Sequence, residues 1–217
     1  MIKAVIFDMD GTLIDTEKHL VRCWCAAANE FGYPMKREDA LEIRSLAAKY
    51  AEPFLKEKFG KDFDYEKVRT RRKEMMNQIL DTQGIEKKKG VDALLNFLNE
   101  NQIKAIVATA TDEVRARSYL TRIGIYDKFE QVISATMVKN GKPKPDIYEY
   151  ACRQIKEEPQ DCVAVEDSPN GVRSALDAGL KTIMVPDLTP PTLEMKKELF
   201  AVVDSLDGVI DIIKKCK

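Results

Sequence analysis

The sequence predicts an α/β protein in which a doubly wound parallel β-sheet carries an inserted helical lobe. Short runs rich in Val, Ile and Ala recur along the chain, and most are apolar throughout, which is typical of strands buried on both faces of a parallel sheet. Helical patterns separate most of these runs, as in a sheet built by strand–helix alternation. One interval of roughly 70 residues contains no strand pattern and is far longer than a crossover helix requires.

The predicted strands cover residues 2–7, 103–108, 131–134, 162–165, 181–185 and 201–203. A helix is predicted at residues 91–99, just before the second strand, and later helices are predicted at residues 112–123 and 145–155 and between Ser168 and Gly179. Proline suits the first helical position, so Pro145 and Pro169 mark two helix starts, and Ser168 can cap the second. Gly124 and Gly179 are typical helix stops.

The strand-free interval predicts an inserted helical domain. Amphipathic patterns indicate helices over residues 16–31, 38–58 and 65–80, with Gly60 and Gly84 as breaks. We therefore expect a discontinuous core of residues 1–15 and 88–217 and a helical insert of residues 16–87. Hinges are expected near residues 14–16 and 83–90.

The composition argues against nucleic-acid and membrane partners. In 217 residues, 35 Lys and Arg face 36 Asp and Glu, a formal net charge of −1, so no basic excess is available to neutralise a phosphate backbone. No run of roughly 18 apolar residues could span a bilayer, and the N-terminal apolar run breaks at Asp8, too early for a secretory leader. We expect a cytoplasmic protein. Its oligomeric state is open, and a monomer is compatible with the sequence.

The five cysteines and the single histidine, His19, restrict the available chemistry. An odd and scattered set of cysteines favours reduced thiols over a disulfide framework. Structural zinc needs several Cys and His ligands, and Ser-His or Cys-His catalysis needs a partnered histidine. Any metal is therefore expected to be a hard cation held by carboxylates.

Two carboxylates follow the first predicted strand, in the sequence Asp8-Met9-Asp10-Gly11-Thr12. In open α/β sheets, sites lie beyond the carboxyl ends of the strands. Residues i and i+2 of an extended chain face the same way, roughly 6–7 Å apart, so both carboxylates point into one space. Two like charges at this short distance disfavour ionisation of both groups. One carboxylate can therefore act as nucleophile or metal ligand while the other holds a proton. A solvated strand end or turn would show the same D-x-D pattern.

Polar residues also follow three later strands. The Thr109-Ala110-Thr111 segment offers a hydroxyl and backbone N–H groups that suit an anion, although Thr111 could simply cap a helix. Lys142 lies in a proline-rich loop, which either is stiff enough to hold the lysine cation over a site or leaves the lysine exposed to solvent. Glu166 and Asp167 lead into a helix, where they could hold Mg²⁺ or complement the helix dipole.

In this order, the motifs resemble those of the haloacid dehalogenase-like superfamily. The succession D-x-D-G-T, Thr, Lys and Glu-Asp is similar to its four motifs, and the resemblance runs from residue 2 to residue 185. The insert, the Lys142-Pro-x-Pro-Asp segment and the Val165-Glu-Asp-Ser-x-x-Gly segment look most like the β-phosphoglucomutase-like and phosphoglycolate phosphatase-like branch. The resemblance implies a Rossmann-like catalytic core and a helical cap that closes over the site and excludes bulk water.

The resemblance also implies roles for individual residues. Asp8 is the nucleophile that forms an aspartyl-phosphate, and Asp10 protonates the leaving oxygen and then activates water. Mg²⁺ is held by the Asp8 carboxylate, the Asp10 carbonyl and Asp167, with Glu166 in support.

By the same resemblance, Thr109 and the Ala110 N–H hold phosphoryl oxygens, and Lys142 balances charge at the nucleophile. This set suits phosphoryl transfer, where catalysis is mainly positioning and electrostatic stabilisation.

Two departures from the family pattern favour a phosphatase over a mutase. The β-phosphoglucomutases of this family carry a cap histidine where this chain has Leu20, and His19 lies about 100° away on a helix, which favours a surface or packing role. Their Gly-x-Ser-Arg cap loop is replaced by residues 44–48, R-S-L-A-A. Arg44 and Lys49 are candidates for substrate contact, with surface positions as the favoured alternative.

Two basic clusters, residues 69–73 and 87–89, are expected to be solvated, because acidic residues flank both. The alternative is a rim that attracts phosphate.

We therefore expect a Mg²⁺-dependent phosphatase of a small phosphorylated metabolite, such as a sugar phosphate. The alternatives are a β-phosphoglucomutase-type phosphomutase and a catalytically silent binding or regulatory member of the fold.

Overall fold

The computed structural model describes residues 1–216 and contains one six-stranded sheet in that range. The strands are β1 Ala4–Phe7, β2 Lys104–Thr109, β3 Gln131–Ser134, β4 Cys162–Glu166, β5 Lys181–Met184 and β6 Ala201–Val202. They pair in the order β3-β2-β1-β4-β5-β6, and every pairing is parallel. The predicted doubly wound α/β fold is confirmed.

Helices cover both faces of the sheet and form the segment between β1 and β2. Their bounds are α1 Glu17–Glu30, α2 Arg37–Glu42, α3 Ala48–Phe59, α4 Tyr65–Gln83, α5 Val91–Glu100, α6 Glu113–Arg122, α7 Asp146–Ile155, α8 Pro169–Asp177, α9 Leu193–Glu198 and α10 Leu206–Lys214. As expected, Ser168 caps α8 by accepting a hydrogen bond from the Gly171 N–H at 3.2 Å. None of the described helices combines the length and apolar character needed to span a membrane.

The position of strand β1 inside the sheet explains why its sequence is apolar throughout. Val5 and Phe7 pack into an apolar cluster with α5, α6 and α10, whereas Ala4 and Ile6 pack on the opposite face with α7 and α8. All four side chains are fully buried. Because both faces need apolar residues, the run lacks the alternation of a half-exposed strand.

The first four helices form an apolar cluster of their own, which includes Val21, Leu55, Phe63 and Val68. The division between core and helical insert at residues 15–16 and 87–88 stays a prediction. The five cysteines are free thiols.

The single helix expected over residues 38–58 is wrong, because α2 ends at Glu42 and α3 begins at Ala48. Ser45 has a φ of +58°, a left-handed conformation that an α-helix cannot continue through. Contacts with the core accompany this turn: the Ala47 N–H donates to the Lys142 carbonyl at 2.9 Å, and the Asn170 amide donates to the Arg44 carbonyl at 2.9 Å.

Candidate active site

The candidate site lies where β1, β2 and β4 end at one edge of the sheet. Phe7 is level with Val107 on β2 and with Val165 on β4. The register therefore brings the residues after these strands together, as expected for parallel strands. The Asp8 N–H continues the ladder by donating to the Val165 carbonyl at 2.9 Å.

Gly11 makes the turn that brings the two aspartates to this edge. Its φ of +88° is one that side-chain-bearing residues rarely adopt, and a Cβ here would lie 2.4 Å from a carboxylate oxygen of Asp167. Both facts require glycine at position 11. The glycine of the D-x-D-G sequence is therefore explained by the close packing of this turn against Asp167, which follows β4.

Asp8 is buried in a charged network. The Lys142 ammonium donates to Asp8 Oδ1 at 2.5 Å and to Glu166 Oε1 at 2.6 Å, and the Tyr148 hydroxyl donates to the same Glu166 oxygen at 2.6 Å. Asp8, Lys142 and Glu166 are 2%, 0% and 0% exposed. The solvated position considered for Lys142 is thus wrong, and its ammonium lies beside the predicted nucleophile.

Burial raises the pKa of Asp8 from its ordinary 3.8 to about 7, against the lowering effect of Lys142 and with a smaller contribution from Glu166. Burial acts to lower the pKa of Lys142, but the two carboxylates outweigh it and raise that pKa above 10.5. The lysine is therefore a permanent cation in this network.

Asp10 is oriented by two hydroxyl groups, one from each side of the site. Thr16 Oγ1 donates to Asp10 Oδ1 at 2.6 Å, and Thr111 Oγ1 donates to Asp10 Oδ2 at 2.8 Å. Thr16 directly precedes α1, whereas Thr111 follows β2. This fixed carboxylate lines the same cavity as Asp8.

The segment after β2 also lines this cavity, through Thr109, Ala110 and Thr111. Thr109 is buried, and its hydroxyl accepts from the Thr111 N–H at 3.0 Å. Asp112, rather than Thr111, caps α6 by accepting from the Arg115 N–H at 3.1 Å.

Three buried carboxylates could hold a cation. Asp8, Glu166 and Asp167 each offer one oxygen within 4.8 Å of the others. Each also has one buried oxygen without a hydrogen-bond partner: Asp8 Oδ2, Glu166 Oε2 and Asp167 Oδ1. Buried polar atoms are normally satisfied, so these three orphaned oxygens fit the hard oxygen donors that Mg²⁺ requires.

The helical insert contributes Arg44 to this cluster. Its guanidinium is buried and forms ion pairs with Asp167 and with Glu17, the latter at 3.1 Å. The surface position favoured for Arg44 is wrong. Lys49, by contrast, is exposed and donates to Asn140 Oδ1 at 2.9 Å, away from the cavity lining.

A cavity of about 100 Å³ lies between the sheet edge and the insert. Asp8, Asp10 and Thr109 line one side, and insert residues including Leu20 and Trp24 line the other. His19 is outside the lining and half-buried, in line with the expected packing role.

The solvated helix face expected for residues 69–73 is wrong for Arg72. Its side chain is 7% exposed and lines the cavity, together with Arg69 and Lys73. These positions are i, i+3 and i+4 on α4, so they share one face of the helix. Arg71 faces elsewhere and pairs with Glu30 at 2.9 Å.

The haloacid dehalogenase-like hydrolase family model matches residues 5–185, the stretch that carries every motif described above. The chain belongs to the haloacid dehalogenase-like hydrolase family. The resemblance found in the sequence is thereby confirmed.

Relatives within the family include phosphatases. The chain is 32% identical over 209 residues to Hexitol phosphatase A of Escherichia coli, covering 95% of this chain and 93% of the relative. It is 30% identical over 182 residues to the Phosphorylated carbohydrates phosphatase of Thermotoga maritima, covering 84% of each. Its fold matches the crystal structure of β-phosphoglucomutase from Clostridium difficile, with a TM-score of 0.84, 25% identity and coverage of 99% and 96%. The chain is therefore a phosphoric monoester hydrolase of this family.

Sequence reasoning missed Glu17, Thr16 and Tyr148 as members of the site, and it did not connect the hydroxyl of Thr111 with Asp10. The two threonines and Glu17 flank the predicted motifs, so proximity in sequence was an available signal. Tyr148 lies inside a helical pattern, and its periodicity indicated only a buried helix face.

Metal binding is expected to stabilise the fold increasingly as the pH rises. Burial raises the pKa of Asp8 to about 7, so the folded chain holds this proton more tightly than the unfolded chain, whose carboxyl keeps its ordinary value of 3.8. The contribution of Asp8 to the stability of the metal-free protein is therefore lost as the pH rises from about 4 to about 7. A cation that binds only the folded state at about 100 times its Kd adds about 2.7 kcal/mol, a Tm increase of roughly 5–10 °C.

Calorimetry with and without Mg²⁺ at pH 5 and pH 8 checks this expectation. Asp167→Asn removes one of the three candidate ligands and should abolish the shift in Tm. Asp177→Asn is the control, because Asp177 pairs with Arg173 on the surface at 3.0 Å. An equal shift in wild type and Asp167→Asn would contradict the assignment.

Proposed function

We propose that the chain is a Mg²⁺-dependent phosphatase that hydrolyses a small sugar phosphate-like metabolite through an aspartyl-phosphate at Asp8. The observation that carries this proposal is the state of the Asp8 carboxylate. One of its oxygens is paired with the buried Lys142 ammonium, and the other, Oδ2, has no hydrogen-bond partner and belongs to a residue that lines the cavity.

The Asp8 carboxylate attacks phosphorus while the ester P–O bond breaks, and the leaving oxygen takes a proton from Asp10. Asp10 then removes a proton from water, which attacks the aspartyl-phosphate, releases inorganic phosphate and regenerates Asp8. The hydroxyl groups of Thr16 and Thr111, which donate to Asp10, hold this carboxylate in place for both proton transfers. Lys142 supplies positive charge beside the bond that forms.

Three further residues support the phosphoryl group and its cation. Thr109 and the Ala110 N–H lie at the anion-binding turn after β2 and provide donors for phosphoryl oxygens. The carboxylates of Asp8, Glu166 and Asp167 and the Asp10 carbonyl would hold Mg²⁺, which when bound polarises the phosphoryl oxygens and neutralises their charge.

The substrate class rests on relatives and on the cavity. The names of the two relatives described above indicate a hexitol phosphatase and a phosphatase of phosphorylated carbohydrates. The cavity lining of this chain combines charged groups with the Trp24 ring. Aromatic rings and charged donors together suit a polyhydroxylated phosphate ester.

A phosphomutase is the second candidate, favoured by the likeness to β-phosphoglucomutase. The cavity lining supports hydrolysis instead, because Leu20 occupies it where the mutases of the family carry histidine, and His19 is not part of it.

A panel of sugar monophosphates and an aryl phosphate, assayed for phosphate release with Mg²⁺ or with a chelator, tests the proposal. We expect release of inorganic phosphate in Mg²⁺ and loss of at least about tenfold in chelator, because several charges must be compensated together. Interconversion of sugar phosphate isomers without phosphate release would favour the mutase. No turnover of any ester would favour a silent binding member of the fold.

A further inference from the structure

We propose that Arg44 competes with Mg²⁺ for Asp167, so that binding of the cation and docking of the turn between α2 and α3 oppose each other. This inference shares with the proposed function only the cation site formed by Asp8, Glu166 and Asp167. It goes beyond that function, because it concerns the affinity for the cation and the hold of the sheet region on the helical insert, and its tests need no turnover.

Arg44 is a cation of the insert that is buried among the acids of this site. It is 4% exposed. Its Nε donates to Glu17 at 3.1 Å, its Nη1 donates to Thr189 Oγ1 at 3.2 Å, and its Nη2 donates to Asp167 Oδ2. Burial acts to lower the pKa of Arg44, but the charges of Glu17 and Asp167 outweigh it and raise that pKa. Arg44 is therefore a full positive charge in contact with a residue of the cation site.

Asp167 is shared between Arg44 and the cation site. Its Oδ2 accepts from Arg44, and its buried Oδ1 has no hydrogen-bond partner. A cation bound by Asp167 would lie near the guanidinium, because both would contact the same carboxylate. Like charges repel most strongly in a buried site, where little water screens them. Glu17 can keep Arg44 paired when the cation takes Asp167, so the exchange leaves neither positive charge without a partner.

The turn that carries Arg44 is held on the sheet region by contacts that include this ion pair. The Ala47 N–H donates to the Lys142 carbonyl, and the Asn170 amide donates to the Arg44 carbonyl, each at 2.9 Å. Ser45 has a φ of +58°, a conformation that persists only where the surrounding contacts hold it. Loss of the ion pair should therefore loosen this turn first.

The two effects are linked by thermodynamics. If Mg²⁺ weakens the contact between Arg44 and Asp167, that contact must weaken the binding of Mg²⁺ by the same factor. A factor of at least about ten is expected, because the contact is a charge-assisted hydrogen bond between buried groups. Removal of Arg44 should therefore tighten the cation site, and Mg²⁺ should loosen the turn.

Titration calorimetry of Mg²⁺ binding tests the first effect. Arg44→Met alone leaves two buried acids without their cation, so the test variant combines Arg44→Met with Glu17→Gln and removes one charge of each sign. Its Kd for Mg²⁺ should be at least about tenfold lower than that of wild type. Lys49→Met is the matched control and should leave the Kd unchanged, because Lys49 links the insert to Asn140 at 2.9 Å but forms no ion pair within residues 1–216. An equal or higher Kd in the double variant would overturn the inference.

Hydrogen exchange of wild type tests the second effect and needs no substitution. With saturating Mg²⁺, amides at residues 43–47 should exchange at least about tenfold faster, among them the Ala47 N–H that donates to the Lys142 carbonyl. Helix α10 contributes nothing to the cavity lining and serves as the internal reference. Unchanged or slower exchange at the turn, once calorimetry shows that Mg²⁺ is bound, would overturn the inference.

These outcomes are distinguishable from a failure of the proposed function. If wild type shows both effects but hydrolyses no ester, the inference stands and the proposed function is rejected. If it hydrolyses esters with Mg²⁺ but shows neither effect, the reverse holds. No binding of Mg²⁺ to wild type would reject the inference together with the cation site.

Discussion

Asp8→Asn will reduce kcat for any phosphate ester by roughly 10⁴-fold or more, the scale of loss when a covalent nucleophile is removed. The amide keeps the shape of the carboxylate and an oxygen for the Lys142 ammonium, but it cannot attack phosphorus. The fold should survive, because the substitution removes one negative charge from a buried cluster in which burial already raises the pKa of Asp8 to about 7. We expect a Tm at or above that of metal-free wild type.

Steady-state phosphate release and calorimetry on the same preparation check both expectations. Asp81→Asn serves as control, because Asp81 is exposed and pairs with Arg122 at 3.2 Å outside the cavity. Mass spectrometry of acid-quenched wild-type turnover should find the phosphoryl adduct on the peptide that contains residue 8. Residual turnover near the wild-type rate, or an adduct on another peptide, would reject Asp8 as the nucleophile.

The sheet, and the edge of the sheet that carries the candidate site, were predictable because the sequence patterns that indicate them are local. The apolar run of β1 is required by burial on both faces, and the acids that follow β1 and β4 meet wherever two parallel strands end level. Asp8 and Glu166 could therefore be assigned to one edge before any contact was known. Gly11 directly follows the two aspartates and could be assigned to the same turn from the sequence.

The turn between α2 and α3 was not predictable, because the apolar spacing of Ile43 and Leu46 continues the helical period through it. The chain departs from a helix there, and tertiary hydrogen bonds from Asn170 and to Lys142 hold the turn. This departure is also what brings Arg44 to Asp167. Local propensity yields to long-range contacts at such positions.

Arg72 illustrates a second limit. A cluster of five residues with four positive charges, at positions 69–73, has the composition of a solvated helix face. Whether one of its members is buried depends on how α4 packs against the sheet edge, which no local pattern records. The burial of Arg72 beside the cavity is visible only in three dimensions.

Lys142→Met will destabilise the fold by about 3–5 kcal/mol, the cost of leaving a buried charge without its partner. The Lys142 ammonium lies 2.5 Å from Asp8 Oδ1 and 2.6 Å from Glu166 Oε1, and neither Asp8 nor Glu166 has another basic partner within residues 1–216. Methionine keeps much of the volume but no charge. The Tm should fall, and it should fall less at acidic pH, where protonation of Asp8, whose pKa burial raises to about 7, removes part of the uncompensated charge.

Tyr148→Phe is the matched control in the same network. It removes the hydroxyl that donates to Glu166 Oε1 at 2.6 Å and leaves the ammonium in place, so its expected cost is only about 1 kcal/mol. Denaturant unfolding of both variants at pH 5 and pH 8 separates the two contributions. If Lys142→Met cost no more than Tyr148→Phe at pH 8, the two carboxylates would not need a cation between them. In that case Lys142 would not be the charge that allows an ionised nucleophile to stay buried beside a second acid.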